Sequence, residues 1–145
     1  MTTLLGFDFG PRKIGVAVGQ TLTRSATPLA TLRGQGEKPD WAGIGALIEE
    51  WKPSALVVGL PFNMDDTEVD WSPRVHRFAR QLEGRYGLKV HLIDERLTSV
   101  EAKRQLNERP QGPARGRSGR KPSTRDAVDA LAAALILETW LCEQD

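Results

Sequence analysis

The sequence predicts an α/β fold: a mixed five-stranded sheet, an antiparallel meander followed by parallel strands, flanked by helices. Three observations point to it. Leu4–Gly19 reads as two strands around a tight turn. Further along, segments with helical spacing alternate with short extended ones. One of these, Ala55–Leu60, is apolar without interruption, the mark of a strand buried on both faces of a parallel sheet.

In the opening hairpin, Ile14, Val16 and Val18 alternate with Gly15, Ala17 and Gly19. One face of the second strand is therefore bare, and another backbone or a large group fits close to it. Gly10 suits the turn, and Arg12 and Lys13 put charge at its tip. Asp8 is the odd residue. A carboxylate in an apolar run is costly unless it is paired or binds a metal. Thr21–Ser25 reads as a turn and Ala26–Leu32 as a third strand, with Pro28 marking an edge or a bend.

Asp40 then suits the N-cap of a helix over Trp41–Trp51, where Trp41, Ile44, Leu47, Ile48 and Trp51 form one apolar stripe. The strand Ala55–Leu60 runs into a polar loop, Pro61–Asp70. A helix over Trp71–Tyr86 follows, with Val75, Phe78, Ala79 and Leu82 on its stripe and Arg74, Arg77 and Arg80 off it. Val90–Ile93 is the last strand and ends at Asp94-Glu95. Ser99–Leu106 reads as a short helix. Asn107–Thr124 is rich in Pro and Gly and reads as a flexible basic loop within one 145-residue domain. From Lys103 to Arg125, eight basic residues face one acid. In the final helix, Arg125–Leu141, Val128, Leu131, Leu135 and Thr139 mark one face. Ala132 and Ile136 extend it, so the helix should be packed on more than one side.

Composition excludes several classes. Charge is balanced, 20 Lys plus Arg against 19 Asp plus Glu, so any nucleic-acid binding must come from a local patch. The single Cys142 cannot form an internal disulfide and excludes a cysteine-rich zinc site. No apolar run spans a bilayer and no signal peptide is recognisable. The expectation is a cytoplasmic protein without a membrane.

Three carboxylates are candidates for one site: Asp8 near the end of the first strand, Glu95 just past the last, and Asp129 inside an apolar helix. Each has a plain alternative. Asp8 can cap a core hairpin, Glu95 can pair with Arg96, and Asp129 can be a first-turn acid for which Asp126 competes. Together, at the C-terminal ends of neighbouring strands, they are what hard cations need. Two Mg²⁺ or Mn²⁺ ions about 4 Å apart activate a water and stabilise the leaving oxygen of a phosphodiester.

Four collinear motifs carry a resemblance. Gly6-Phe-Asp-Phe-Gly10 with Ile14-Gly-Val-Ala17, Val58-Gly-Leu-Pro61 with Asn63-Met-Asp65, Asp94-Glu-Arg-Leu-Thr98, and Val128-Asp-Ala130 leading to Ile136-Leu-Glu138 resemble the YqgF family over nearly the whole chain. The resemblance implies an RNase H-like fold related to RuvC-type Holliday junction resolvases. It implies a metal-dependent nuclease processing the 5′ end of pre-16S rRNA, or resolving branched DNA as a homodimer. It makes Asp8, Glu95 and Asp129 the acidic triad. Asn63 and Arg96 would then orient substrate. Arg12, Lys13 and the loop residues Arg115, Arg117, Arg120 and Lys121 would grip a nucleic-acid backbone. Two other readings are an ATP-handling enzyme, disfavoured by the lack of a Walker loop, and a non-catalytic nucleic-acid-binding module.

Overall fold

A computed structural model describes residues 2–10, 12–35, 38–61, 69–94 and 124–143, with side chains from Asp129 onward in the last segment. Its elements are β1 (Thr3–Phe9), β2 (Lys13–Gln20), β3 (Ser25–Arg33), α1 (Trp41–Trp51), β4 (Ala55–Leu60), α2 (Ser72–Tyr86), β5 (Lys89–Asp94) and α3 (Thr124–Cys142). The five strands form one sheet in the order β3-β2-β1-β4-β5. β1 pairs antiparallel with β2, and β2 with β3. β1–β4 and β4–β5 are parallel. The mixed sheet is the one expected. The expected helix Ser99–Leu106 and the basic loop lie outside the described residues.

Strand alternation divides the core into two layers. Leu5, Phe7 and Phe9 of β1 face α1 and α2, packing with Ile44, Val75, Phe78 and Leu82. An aromatic cluster fixes the C-terminal tip of β1 there: the Phe9 and Phe78 rings lie 5.0 Å apart, and Trp41 lies 5.6 Å from Phe78. On the other face, Leu4, Ala17, Val57 and Ile93 pack against Ala133, Leu137 and Leu141 of α3.

The helix ends follow local chemistry. The Asp40 carboxylate accepts from the Gly43 N–H at 3.0 Å, a cap worth about 1 kcal/mol. Lys52 ends α1 in the left-handed region, φ 47°, donating its N–H to the Ile48 carbonyl. Trp71 precedes α2 as its N-cap rather than opening the helix. Its side chain makes no cap bond, and Pro73 sets the first turn instead.

The packing of α3 departs from the expected Val128-Leu131-Leu135-Thr139 face. Ala133 through Leu137 are buried in succession, and Leu131 and Thr139 are only half-buried. Burial on more than one side is as expected. The side seated on the strands, however, is Ala133 and Leu137, because the bare glycine face of the sheet admits small residues and helix backbone. A Cβ on Gly6 would lie 2.9 Å from the Leu137 Cβ and 3.3 Å from the Ala133 carbonyl oxygen.

The outer strand β3 carries a bulge where the register slips between Val16 and Ala17, next to Pro28. Its Ala26 N–H donates to Glu138 Oε2 of α3 at 3.1 Å. Glu138, which belongs to the family-like motif, therefore has a structural partner.

Candidate active site

Asp8 is the penultimate residue of β1, half-buried at the C-terminal end of the central strand. Its partners in register are Gly15 of β2 and Gly59 of β4. A carboxylate between two glycines has no side chain beside it on either neighbouring strand, which leaves room at that spot for a ligand. Residues directly opposite across a ladder project to the same face, so Asp8 and Gly15 share one. That face is the one covered by α3. A Cβ placed on Gly15 would collide with the Asp129 carbonyl oxygen. The backbone of α3 at Asp129 therefore rests directly on the strand residue paired with Asp8. Of the expected triad, these two residues are brought to one patch.

Lys13 opens β2 with the same parity as Gly15, and its Nζ lies 2.8 Å from Asp129 Oδ2. Both side chains are about one quarter exposed. Oδ2 itself is sealed from solvent and takes no well-directed hydrogen bond. The ammonium offsets the charge of this oxygen without lying along a lone pair. An orphaned, buried carboxylate oxygen held only by a cation is a fitting donor for a hard divalent ion. Among the described residues, no three His, Cys, Asp or Glu side chains cluster tightly enough to hold a metal by themselves. The donors present are oxygen-only and fit Mg²⁺ or Mn²⁺, with a further carboxylate required.

Glu95 follows directly on Asp94, the last residue of β5, and lies outside the described residues. Its strand is nonetheless in place. The register runs Gly15, Asp8, Gly59, Ile93 straight across four strands. Ile93 is buried on the α3 face. Asn63, Arg96, Arg115, Arg117, Arg120 and Lys121 also lie outside the described residues. Arg12 is exposed at the tip of the β1–β2 turn, where its carbonyl accepts from the Gly34 N–H at 3.3 Å.

The pairing of Lys13 with Asp129 was not legible beforehand. Only the i, i+2 parity of Lys13 with the bare Gly15-Ala17-Gly19 face hints at it. Among the described residues no helix is long and apolar enough to cross a membrane.

Comparison with known proteins agrees with this geometry. A relative from Pseudomonas putida, named "Putative pre-16S rRNA nuclease", is 53% identical over 139 residues, covering 95% of this chain and 93% of its own. One of the same name from Azotobacter vinelandii is 52% identical over 141 residues, covering 97% and 94%. Among solved structures, Thermus thermophilus RuvC aligns with a TM-score of 0.55 at 17% identity, covering 95% of this chain and 94% of that one. The Fowlpox virus resolvase, solved with substrate Holliday junction DNA, aligns at 0.56 and 10% identity, covering 96% of each chain. At such identities the likeness is one of fold, that of RuvC-like resolvases with an RNase H fold. The family described as "RuvX: Holliday junction resolvase" matches residues 2–143, and with relatives above half identity the chain belongs to that family.

Proposed function

We propose that this chain is a divalent-metal-dependent nuclease that processes the 5′ end of pre-16S rRNA. The observation that carries the chemistry is the seating of Asp129 on Gly15, the register partner of the glycine-flanked Asp8. The substrate follows the shared name of its relatives.

Asp8 and Asp129 supply two carboxylates, and Glu95 the third. Ile93 faces α3, and Glu95 has the same strand parity, so an extended step past Asp94 carries it to that side. Bound Mg²⁺ or Mn²⁺, a pair of ions in this reading, supplies positive charge for the attacking and leaving oxygens of an in-line displacement. Lys13 steadies Asp129 and offsets its charge. Arg12 at the turn tip contacts phosphate, with Asn63, Arg96 and the basic segment containing Arg115, Arg117, Arg120 and Lys121 extending the grip. The setting is the cytoplasm, where the precursor is made.

A second reading, resolution of four-way DNA junctions, is favoured by the family description. It needs two active sites on one junction, hence a homodimer. Labelled precursor rRNA and a labelled four-way junction, each with Mg²⁺ or Mn²⁺, separate the two. Precursor cleavage by the parent and its loss in Asp8→Asn with an unchanged melt is the expected result. Cleavage that persists in Asp8→Asn, or in excess chelator, refutes the mechanism. Cleavage of the junction alone transfers the assignment to DNA.

A further inference from the structure

On the sheet face opposite Asp129, the start of α1 and one side of α2 enclose a groove of about 380 Å³. That volume lies in the range of small-ligand sites. Lys38, Trp41, Arg74, Arg77, Gln81 and Arg85 line it, and no lining residue is acidic. Arg74, Arg77, Gln81 and Arg85 recur at i, i+3, i+7 and i+11, one face of α2 about 17 Å long. This polar face lies off the apolar stripe and has no part in the core. Arg85 and Trp41 form a flat cationic plate, the guanidinium carbon lying 4.1 Å from the ring centroid.

The groove is continuous with the active site. A narrower cleft shares Lys38 and Arg74 with it, and is lined further by Gly10, Arg12 and Lys13 of the β1–β2 turn. Lys13 is the residue bound to Asp129. Cationic side chains thus lead from the carboxylates, over the tip of the sheet, down to the Arg85–Trp41 plate.

From this we propose a single-stranded nucleic-acid subsite: the strand flanking the cleaved phosphate crosses the β1–β2 turn and enters the α1–α2 groove. Arg74 and Arg77 take its phosphates, and one unstacked base lies on the Arg85–Trp41 plate. Evenly spaced cations match a phosphate backbone, and a planar guanidinium on indole matches a base face. An acidic protein would use the charges but leave the plate without a purpose. A base inside a duplex cannot reach the plate. The word "cleaved" rests on the nuclease reading; binding in the groove does not.

Binding is therefore measured without cleavage, in Asp8→Asn with chelator present. The probe is a fluorescent twelve-nucleotide RNA, read by anisotropy across a salt series. Arg77 and Arg85 are exposed, so their substitution spares the fold. Arg77→Ala with Arg85→Ala should weaken binding about tenfold or more and flatten the log K against log salt slope by about 1.4, or about 0.7 per lost phosphate contact. Arg85→Lys, which keeps the charge but loses the plate, should keep the slope and weaken binding several-fold. Parental affinity and slope in the double variant would overturn the proposal. So would a polyglutamate peptide, or an RNA duplex of equal length, that competes as well as the unlabelled strand. Failure of the nuclease reading would show separately, as a parent chain that binds this probe but cleaves nothing with Mg²⁺ or Mn²⁺.

Discussion

Gly15→Ala tests whether α3 must sit where it does. The added methyl meets the backbone carbonyl of Asp129 rather than a side chain that can turn away. The helix must retreat on the order of 1 Å, a misplacement that in an active site costs roughly 100-fold in rate. Overpacking of this kind costs about 3 kcal/mol, and the stiffer unfolded chain returns about 0.7 kcal/mol. The net loss of about 2 kcal/mol lowers the melting temperature by about 4–8 °C for a chain of this size. Gly19→Ala is the matched control, on the same strand and facing the same helix. There the new methyl approaches Leu137 Cδ2 at 2.8 Å, the end of a flexible side chain. Its overpacking of about 1 kcal/mol nearly cancels the unfolded-state gain. Thermal melts and metal-dependent cleavage of precursor rRNA, run on both variants, decide the matter. A Gly15→Ala protein that melts and cleaves like the parent, or a Gly19→Ala protein equally impaired, refutes the reasoning.

Other predictions follow from single contacts. Lys13→Met removes the ammonium that competes with a divalent ion for Asp129. It should lower the Mn²⁺ concentration for half-saturation about fivefold, equivalent to about 1 kcal/mol, in a calorimetric titration. Glu138→Ala leaves the Ala26 N–H without its carboxylate and should cost about 1–2 kcal/mol in urea unfolding. Glu138→Gln should cost less, and both should cleave normally. Burial pushes the His91 imidazole below its ordinary value, with Lys89 adding to the shift and Glu83 opposing it. The folded chain thus holds that proton less tightly than the unfolded one. Stability present above about pH 6.5 should decline as pH falls through and below it. His91→Phe keeps an aromatic ring beside Trp140, 4.6 Å from His91 in the parent, and should flatten that part of the pH profile.

Much of the sheet was legible because its signals are local. Period-two alternation found the β1–β2 hairpin, and the apolar run found β4 with its printed bounds, Ala55–Leu60. The bare face of β2 correctly announced a close neighbour, and the neighbour is α3. Its contact side was misjudged because hydropathy favours Leu131 and Leu135, whereas the distance between helix and glycine strand favours Ala133. That distance is a tertiary quantity with no trace in local pattern. At the site, strand parity sufficed to place Asp8. The Lys13–Asp129 pair joins residues 116 apart in sequence and depends on how α3 lies across β2. The α2 groove was hidden for a related reason. Arginines off an apolar stripe read as solvated surface until Lys38 and Trp41 are seen to wall them in.

The outer border of the sheet bears on how two copies could assemble. β3 presents an incoming chain with a proline that has no amide hydrogen, a bulge that breaks the repeat, and an Ala26 amide already claimed by Glu138. Such a border resists annealing to its own kind. Two molecules straddling one four-way junction would have to join without prolonging the sheet past β3, leaving the β5 side or the helical layers as the meeting ground.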